Sequence, residues 1–273
     1  MESANIDGVV LEYEKSGTGE PVVFIHGALI ADAFLPLVHA TDLAQAFQLI
    51  VYHRRGYAGS SHLDAPVTLP QQAADCLALL HYLGIERAHV AGHSLGGSIA
   101  LQLALDAPET VGTLALMEPA MFVGETADSY RESLRQGAER VSQAGATAAV
   151  DGFLSARWTG FRAPLDRLVP GGFEQAVRDA GDQFTHEMPG LLDWQFGDDD
   201  ARRVTQPTLS ILGGANDLPG TRFQDAHRYL QAALPNVEGM VIPGLEHMLH
   251  VQEPGKVAAI LADFWGRHPL TVQ

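Results

Sequence analysis

From Pro21 onward, short apolar runs rich in β-branched residues take turns with stretches of helical periodicity, and few folds accept that pattern. The runs "PVVFIHG", "FQLIVYH", "RAHVAGH" and "VGTLALME" carry almost no polar face. Strands of that kind are covered on both sides, as in parallel sheets. Between them stand "LPQQAADCLALLHYLG" and "LGGSIALQLALDAPE", where apolar residues recur at helical spacing. The alternation predicts an α/β fold, a doubly wound and mostly parallel sheet flanked by helices. Ahead of it, "NIDGVVLEYEKSGTGEP" reads as an antiparallel hairpin at the sheet edge, with Asp7-Gly8 supplying the positive φ angles of a tight turn.

The alternation stops after "LMEPAMF" and resumes at "QPTLSILGG". Between about 121 and 203 come helical patterns without a convincing strand, among them "DSYRESLRQGAERVSQAG" and "GGFEQAVRDAGDQFTHEM". Several helices in a row exceed what one crossover between parallel strands needs. The expected organisation is a core of 1–120 and 204–273 with a helical insertion at 121–203.

Charge narrows the range of partners. The 273 residues carry a formal charge of −16, which argues against nucleic acid and anionic membrane surfaces as partners. Cys76 is the single cysteine, so internal disulfides and C-x-x-C redox or zinc patterns are excluded. The opening "MESANIDG" has no basic stretch followed by an apolar run, and no apolar run is long enough to span a bilayer. The expectation is a cytoplasmic protein without membrane insertion. Oligomeric state is unreadable from the sequence.

Chemistry concentrates at "AGHSLGG". Gly92, Ser94 and Gly96 fit G-x-S-x-G between an apolar strand and a helix, the setting in which a sharp turn exposes a serine hydroxyl. A serine nucleophile needs a base, and the base needs an orienting acid. In such a fold these follow in the order nucleophile, acid, histidine, each just beyond a strand. "TLSILGGANDLPG" places Asp217 there, and "GMVIPGLEHMLHVQEP" places His247. Glu118, closing "LALMEPA", is the rival acid, and His250 is the rival base. By position, the backbone N–H groups of Ala28 and Leu95 are the expected oxyanion donors. His26 and His93 read as packing or loop-bonding residues.

These stretches resemble the α/β-hydrolase family, in its serine-nucleophile esterase and lipase-like branch. "HGA" at 26–28 is similar to the family's oxyanion loop, and "YHRRGYAGSS" at 52–61 to the stretch after the next strand. "GHSLGG" is similar to the nucleophile turn, "GGANDLP" to the acid loop and "HMLHVQEP" to the histidine loop. His53 departs from the family pattern, where an aspartate is frequent. The resemblance implies an eight-stranded sheet, with the helical block as a cap inserted after the sixth strand. It also implies a carboxylic ester hydrolase acting on small to medium esters or lactones, without metal or organic cofactor.

Phe122, Trp158, Trp194 and Phe196 are the candidates for lining a substrate pocket, although apolar residues at helical spacing also serve as packing. Two alternatives keep the same triad: C–C bond hydrolysis, in which Arg157 or Arg162 would hold an acid tail, and perhydrolase or transacylase chemistry. A third is of another class, a ligand-binding or signalling protein on a hydrolase scaffold.

Overall fold

The computed structural model describes residues 1–270 except 217 and 219. Its strands are β1 (Glu2–Ile6), β2 (Val9–Ser16), β3 (Glu20–Ile25), β4 (Phe47–Tyr52), β5 (Ala88–His93), β6 (Val111–Met117), β7 (Thr208–Gly213) and β8 (Val237–Ile242). They form one sheet in the order β1-β2-β4-β3-β5-β6-β7-β8. The β1–β2 and β2–β4 pairs are antiparallel, and every other pair is parallel. The hairpin therefore sits at the edge, turned by Asp7 at φ 52° and Gly8 at φ 88°.

Helices α1 (Leu35–His39), α2 (Leu69–Tyr82) and α3 (Leu95–Asp106) belong to the first half of the sheet. An insert after β6 carries α4 (Ala127–Ala144), α5 (Ala146–Ser155), α6 (Arg162–Leu168) and α7 (Gly172–Asp182). A π-helical turn, Gln183–Glu187, then leads into α8 (Met188–Asp193) and α9 (Asp198–Arg203). The sheet resumes at β7, and α10 (Arg222–Ala233), α11 (Leu249–Gln252) and α12 (Pro254–Arg267) complete the fold.

Alternation along the strands builds two cores. Val23 and Ile25 of β3 join Val90, Leu114 and Leu116 in the larger one, which includes apolar residues of α2 and α3 and continues into the insert. Val22 and Phe24 point the other way, into a cluster with Leu37, Leu261, Phe264 and Trp265 of α1 and α12. Both faces of the central strands are thus dry, the physical reason these strands read as continuous apolar runs. Helix α2 begins with a capping box in which Thr68 and Gln71 satisfy each other's backbone N–H groups, worth about 1 kcal/mol. Cys76 is fully buried within this helix.

Candidate active site

The turn between β5 and α3 explains why its sequence is so restricted. Ser94 lies at φ 53°, ψ −120°, a strained conformation for a residue with a side chain. A Cβ on Gly92 would stand 2.4 Å from the Gly96 carbonyl oxygen, and one on Gly96 would stand 2.0 Å from the Ile25 oxygen. Only glycine lets the helix start this close to the sheet. The turn is held from β6: Ser94 N–H donates to Met117 O at 2.9 Å, and Ala120 N–H donates to Ser94 O at 3.0 Å. The Ser94 hydroxyl makes no hydrogen bond among the described residues, and it sits at the positive end of α3.

His247 follows β8, and its ring is fixed on several sides. Phe223 stacks on it at a centroid separation of 4.1 Å, and His93 lies at 4.5 Å. Its Nδ1 is 2.6 Å from Glu118 Oε2, and both side chains are buried. The Nε2 of His247 takes no hydrogen bond among the described residues. Burial, reinforced by His93, Arg157 and Arg222, holds the imidazole well below the usual histidine range.

Glu118 leaves β6 at φ 46°, another strained position. Its Oε1 accepts from Gly213 N–H at 2.8 Å and from the Asn216 amide at 2.9 Å. The same amide reaches Oε2 at 3.0 Å. Burial pushes the carboxyl up to about 7, against the opposing pull of Asn216, Gly213 and Arg222. Asp217, the acid expected from the strand-exit pattern, lies outside the described residues. Among the described residues, the carboxylate that meets His247 is the rival, Glu118, and the loop after β7 contributes Asn216 as its clamp.

The other histidines have different partners. His93 donates from Nε2 to the His247 carbonyl at 2.9 Å, and burial depresses it to about 4. His250 is packed between Phe34 at 4.5 Å and His93 at 4.4 Å, with neither ring nitrogen hydrogen-bonded. It pairs with no carboxylate among the described residues. His26 accepts at Nε2 from Arg54 N–H, at 3.1 Å. His53 bridges Glu12 and Asp32 at 3.0 and 2.8 Å and so ties the hairpin to the loop after β3.

That loop carries Ala28, whose N–H has no acceptor among the described residues. Leu95 N–H opens α3 and so lacks an intrahelical acceptor. Neighbouring Leu29, at φ 70°, donates its N–H to Gln183 Oε1 in the π turn at 2.9 Å. Arg54, fully buried, donates to Gly27 O at 3.0 Å and His26 O at 3.1 Å and also pairs with Glu187 and Gln72. Burial opposes its charge, but Glu187 outweighs that and raises the guanidinium's pKa. The π turn spaces Gln183 and Glu187 so that both accept from the Tyr57 hydroxyl.

The family model of the alpha/beta hydrolase fold matches residues 20–254. The chain belongs to that family. Among curated proteins, this alpha/beta hydrolase is 37% identical over 263 residues to the dihydrolipoyllysine-residue acetyltransferase component of the acetoin cleaving system of Cupriavidus necator. That match covers 95% of the present chain and 62% of the relative, so the chain spans under two thirds of that protein's length. It is also 30% identical over 257 residues to RutD of Klebsiella pneumoniae subsp. pneumoniae, named provisionally as a carbamate hydrolase, with 90% and 91% of the two chains covered. Among solved structures, a thermophilic esterase from Thermogutta terrifontis superposes with a TM-score of 0.83 at 20% identity, covering 98% of this chain and 100% of that one.

Three of the aromatics expected at a pocket in this hydrolase, Phe122, Trp194 and Phe196, line one cavity of about 650 Å³ beside α9. Trp194 stacks on Phe196 at 5.6 Å and donates its indole N–H to Gln102 at 2.8 Å. Trp158 is elsewhere, 5% exposed in the apolar core of the insert. Asn216 and Arg222 were not singled out by the sequence. The only hint was that both lie in the polar segment after β7.

Proposed function

We propose that this chain is a serine hydrolase of carboxylic esters and lactones, with Ser94 as nucleophile, His247 as base and Glu118 as the orienting acid. The observation that carries the reading is the short bond between buried Glu118 and His247 Nδ1, which leaves Nε2 free to accept a proton. Ser94 Oγ attacks the carbonyl carbon while its proton passes to Nε2. The new Oγ–C bond creates an oxyanion, for which the Ala28 and Leu95 N–H groups are the donors. As the intermediate collapses, the C–O bond to the leaving alkoxide breaks and His247 returns the proton to that oxygen. Water activated by His247 then cleaves the acyl-serine. Glu118 holds the tautomer with hydrogen on Nδ1 and stabilises the imidazolium.

In this reading the insert at 121–203 acts as a cap over Ser94, and its contact with Leu29 couples the cap to the oxyanion loop. The resemblance to RutD supports carbamates as a second substrate class, because a carbamate carbonyl accepts the same attack. The decisive experiment is hydrolysis of p-nitrophenyl esters from acetate to decanoate, and of a matching carbamate, by wild type and Ser94→Ala. A loss of ~10³-fold or more in the variant supports the reading. Equal rates would overturn it.

A further inference from the structure

The Ala28 N–H belongs to the same planar amide as the Gly27 carbonyl. That amide is trans, so its C=O and N–H point to opposite sides. Whatever holds the carbonyl therefore sets the direction of the N–H. Gly27 itself lies against the nucleophile turn: a Cβ added to it would stand 3.1 Å from Ser94 Cβ and 2.8 Å from His93 Nδ1.

Two side chains converge on Gly27 O. Arg54 Nη2 donates to it at 3.0 Å, and His26 Nδ1 stands 2.7 Å from it. The other ring nitrogen settles the direction of the histidine bond. His26 Nε2 accepts from Arg54 N–H at 3.1 Å. Burial, then the Arg54 charge, hold this imidazole well below the usual histidine range. The neutral ring carries its one hydrogen on Nδ1 and donates it to Gly27 O. The next peptide is fixed as well, with Ala28 O accepting from Ile30 N–H at 2.9 Å and Leu29 N–H donating to Gln183 at 2.9 Å. Of the two peptides flanking Ala28, only its own N–H is left without a partner among the described residues.

Arg54 is gripped in turn from outside the loop. Its Nη1 bonds Glu187 of the π turn and Gln72 of α2. Tyr57 accepts from Nη2 at 3.2 Å and reaches Glu187 Oε2 at 2.6 Å. A buried ion pair by itself needs only the carboxylate contact. Here Nε and Nη2 are aimed instead at two successive carbonyls, His26 O and Gly27 O. A charged donor makes a hydrogen bond roughly twice as strong as a neutral one. A bond accepted at a carbonyl also polarises the amide, so that its N–H becomes a better donor.

We propose that Arg54 and His26 are positioning residues for transition-state stabilisation: they hold and polarise the Gly27–Ala28 amide so that its N–H is preset for the oxyanion, while Glu187 of the insert fixes the guanidinium. The role rests on the hydrolase reading for its chemistry, but the hold on the amide does not. The insert thereby shapes the reacting site through one charged side chain.

The test compares wild type, Arg54→Lys and the neutral pair Arg54→Met/Glu187→Met, which strands no buried charge. On a p-nitrophenyl ester the double variant should lose on the order of 10–100-fold in kcat with KM within about threefold, short of the ~10²–10³ that follows loss of a whole donor. The second readout is the affinity for heptyl trifluoromethyl ketone relative to heptyl methyl ketone. Ser94 Oγ adds to the activated carbonyl carbon of the first, its proton passes to His247, and a tetrahedral oxyanion forms; the second adds far less readily. The affinity ratio should fall by a factor similar to the loss in kcat and recover in part in Arg54→Lys. A merely structural role would weaken both ketones alike, and an unchanged ratio overturns the proposal. If the double variant does not fold, His26→Leu repeats the comparison, with His26→Asn as the variant that keeps a donor near Nδ1. Should neither hydrolysis nor ketone binding depend on Ser94, the hydrolase reading fails by itself. The nitrogen-15 chemical shift of Ala28 then decides the hold on the amide: an upfield move in the variant upholds it, and no move overturns it.

Discussion

His247 Nδ1 and Glu118 Oε2 stand 2.6 Å apart although 129 residues separate them in the chain. The bond joins the loop after β8 to the end of β6, two strands apart in the sheet. It is the basis for proposing Glu118 as the orienting acid. Glu118→Gln should keep the fold and lose ~10³–10⁴-fold in kcat, as expected when the orienting acid no longer fixes the histidine tautomer. If Glu118 is the orienting acid, Asp217→Asn should retain kcat within about threefold. Steady-state kinetics on one p-nitrophenyl ester check both, and the opposite ranking would return the acid's role to Asp217.

Glu118 also dictates the pH response. Its carboxyl is raised from the ordinary 4.5 to about 7, whereas His247 is lowered and stays neutral across the same range. Activity requires the ionised carboxylate, so kcat/KM should rise as pH increases through about 7. Stability should move the other way. The folded state holds this proton more tightly than the unfolded chain, so Glu118's contribution is complete below about 4.5 and is lost as pH rises through about 7. A pH–rate profile with a limb near 7 that disappears in Glu118→Gln checks the assignment. The limb belongs to the coupled pair as a unit.

Gly96→Ala should destabilise the chain by about 3 kcal/mol or more, because the new Cβ meets the Ile25 carbonyl at 2.0 Å and a backbone oxygen in a central strand has no room to yield. Urea unfolding of wild type and variant gives the difference. A change below about 1 kcal/mol would show that the Ser94 turn relaxes more easily than this geometry allows.

Arg54 and Glu187 lie 133 residues apart and are fully buried together. Glu187→Ala should cost about 3–5 kcal/mol, since it strands a buried guanidinium. Adding Arg54→Met should restore part of that loss, a non-additivity visible in a double-mutant cycle. Independent effects of the two changes would argue that water reaches Arg54 once its partner is gone.

Much of this molecule was written in local patterns. Continuous apolar runs such as "PVVFIHG" announced strands buried on both faces, and β3 does divide its side chains between two cores. The strain at Ser94 was equally legible, because the steric need for Gly92 and Gly96 arises within five residues of chain. The helical insert showed itself by the lack of strands between β6 and β7. What these patterns could not settle was pairing across the sheet. Glu118 and Asp217 both follow strands, and no local property separates them. The pairing of Glu118 with His247 is visible only in the structure, where β6 and β7 are neighbours, Gly213 and Asn216 clamp Glu118, and Phe223 stacks on His247. The same holds for Arg54 with Glu187. Sequence periodicity reports which face of an element is dry. Which charged groups meet depends on how distant elements dock, and that only the tertiary structure decides.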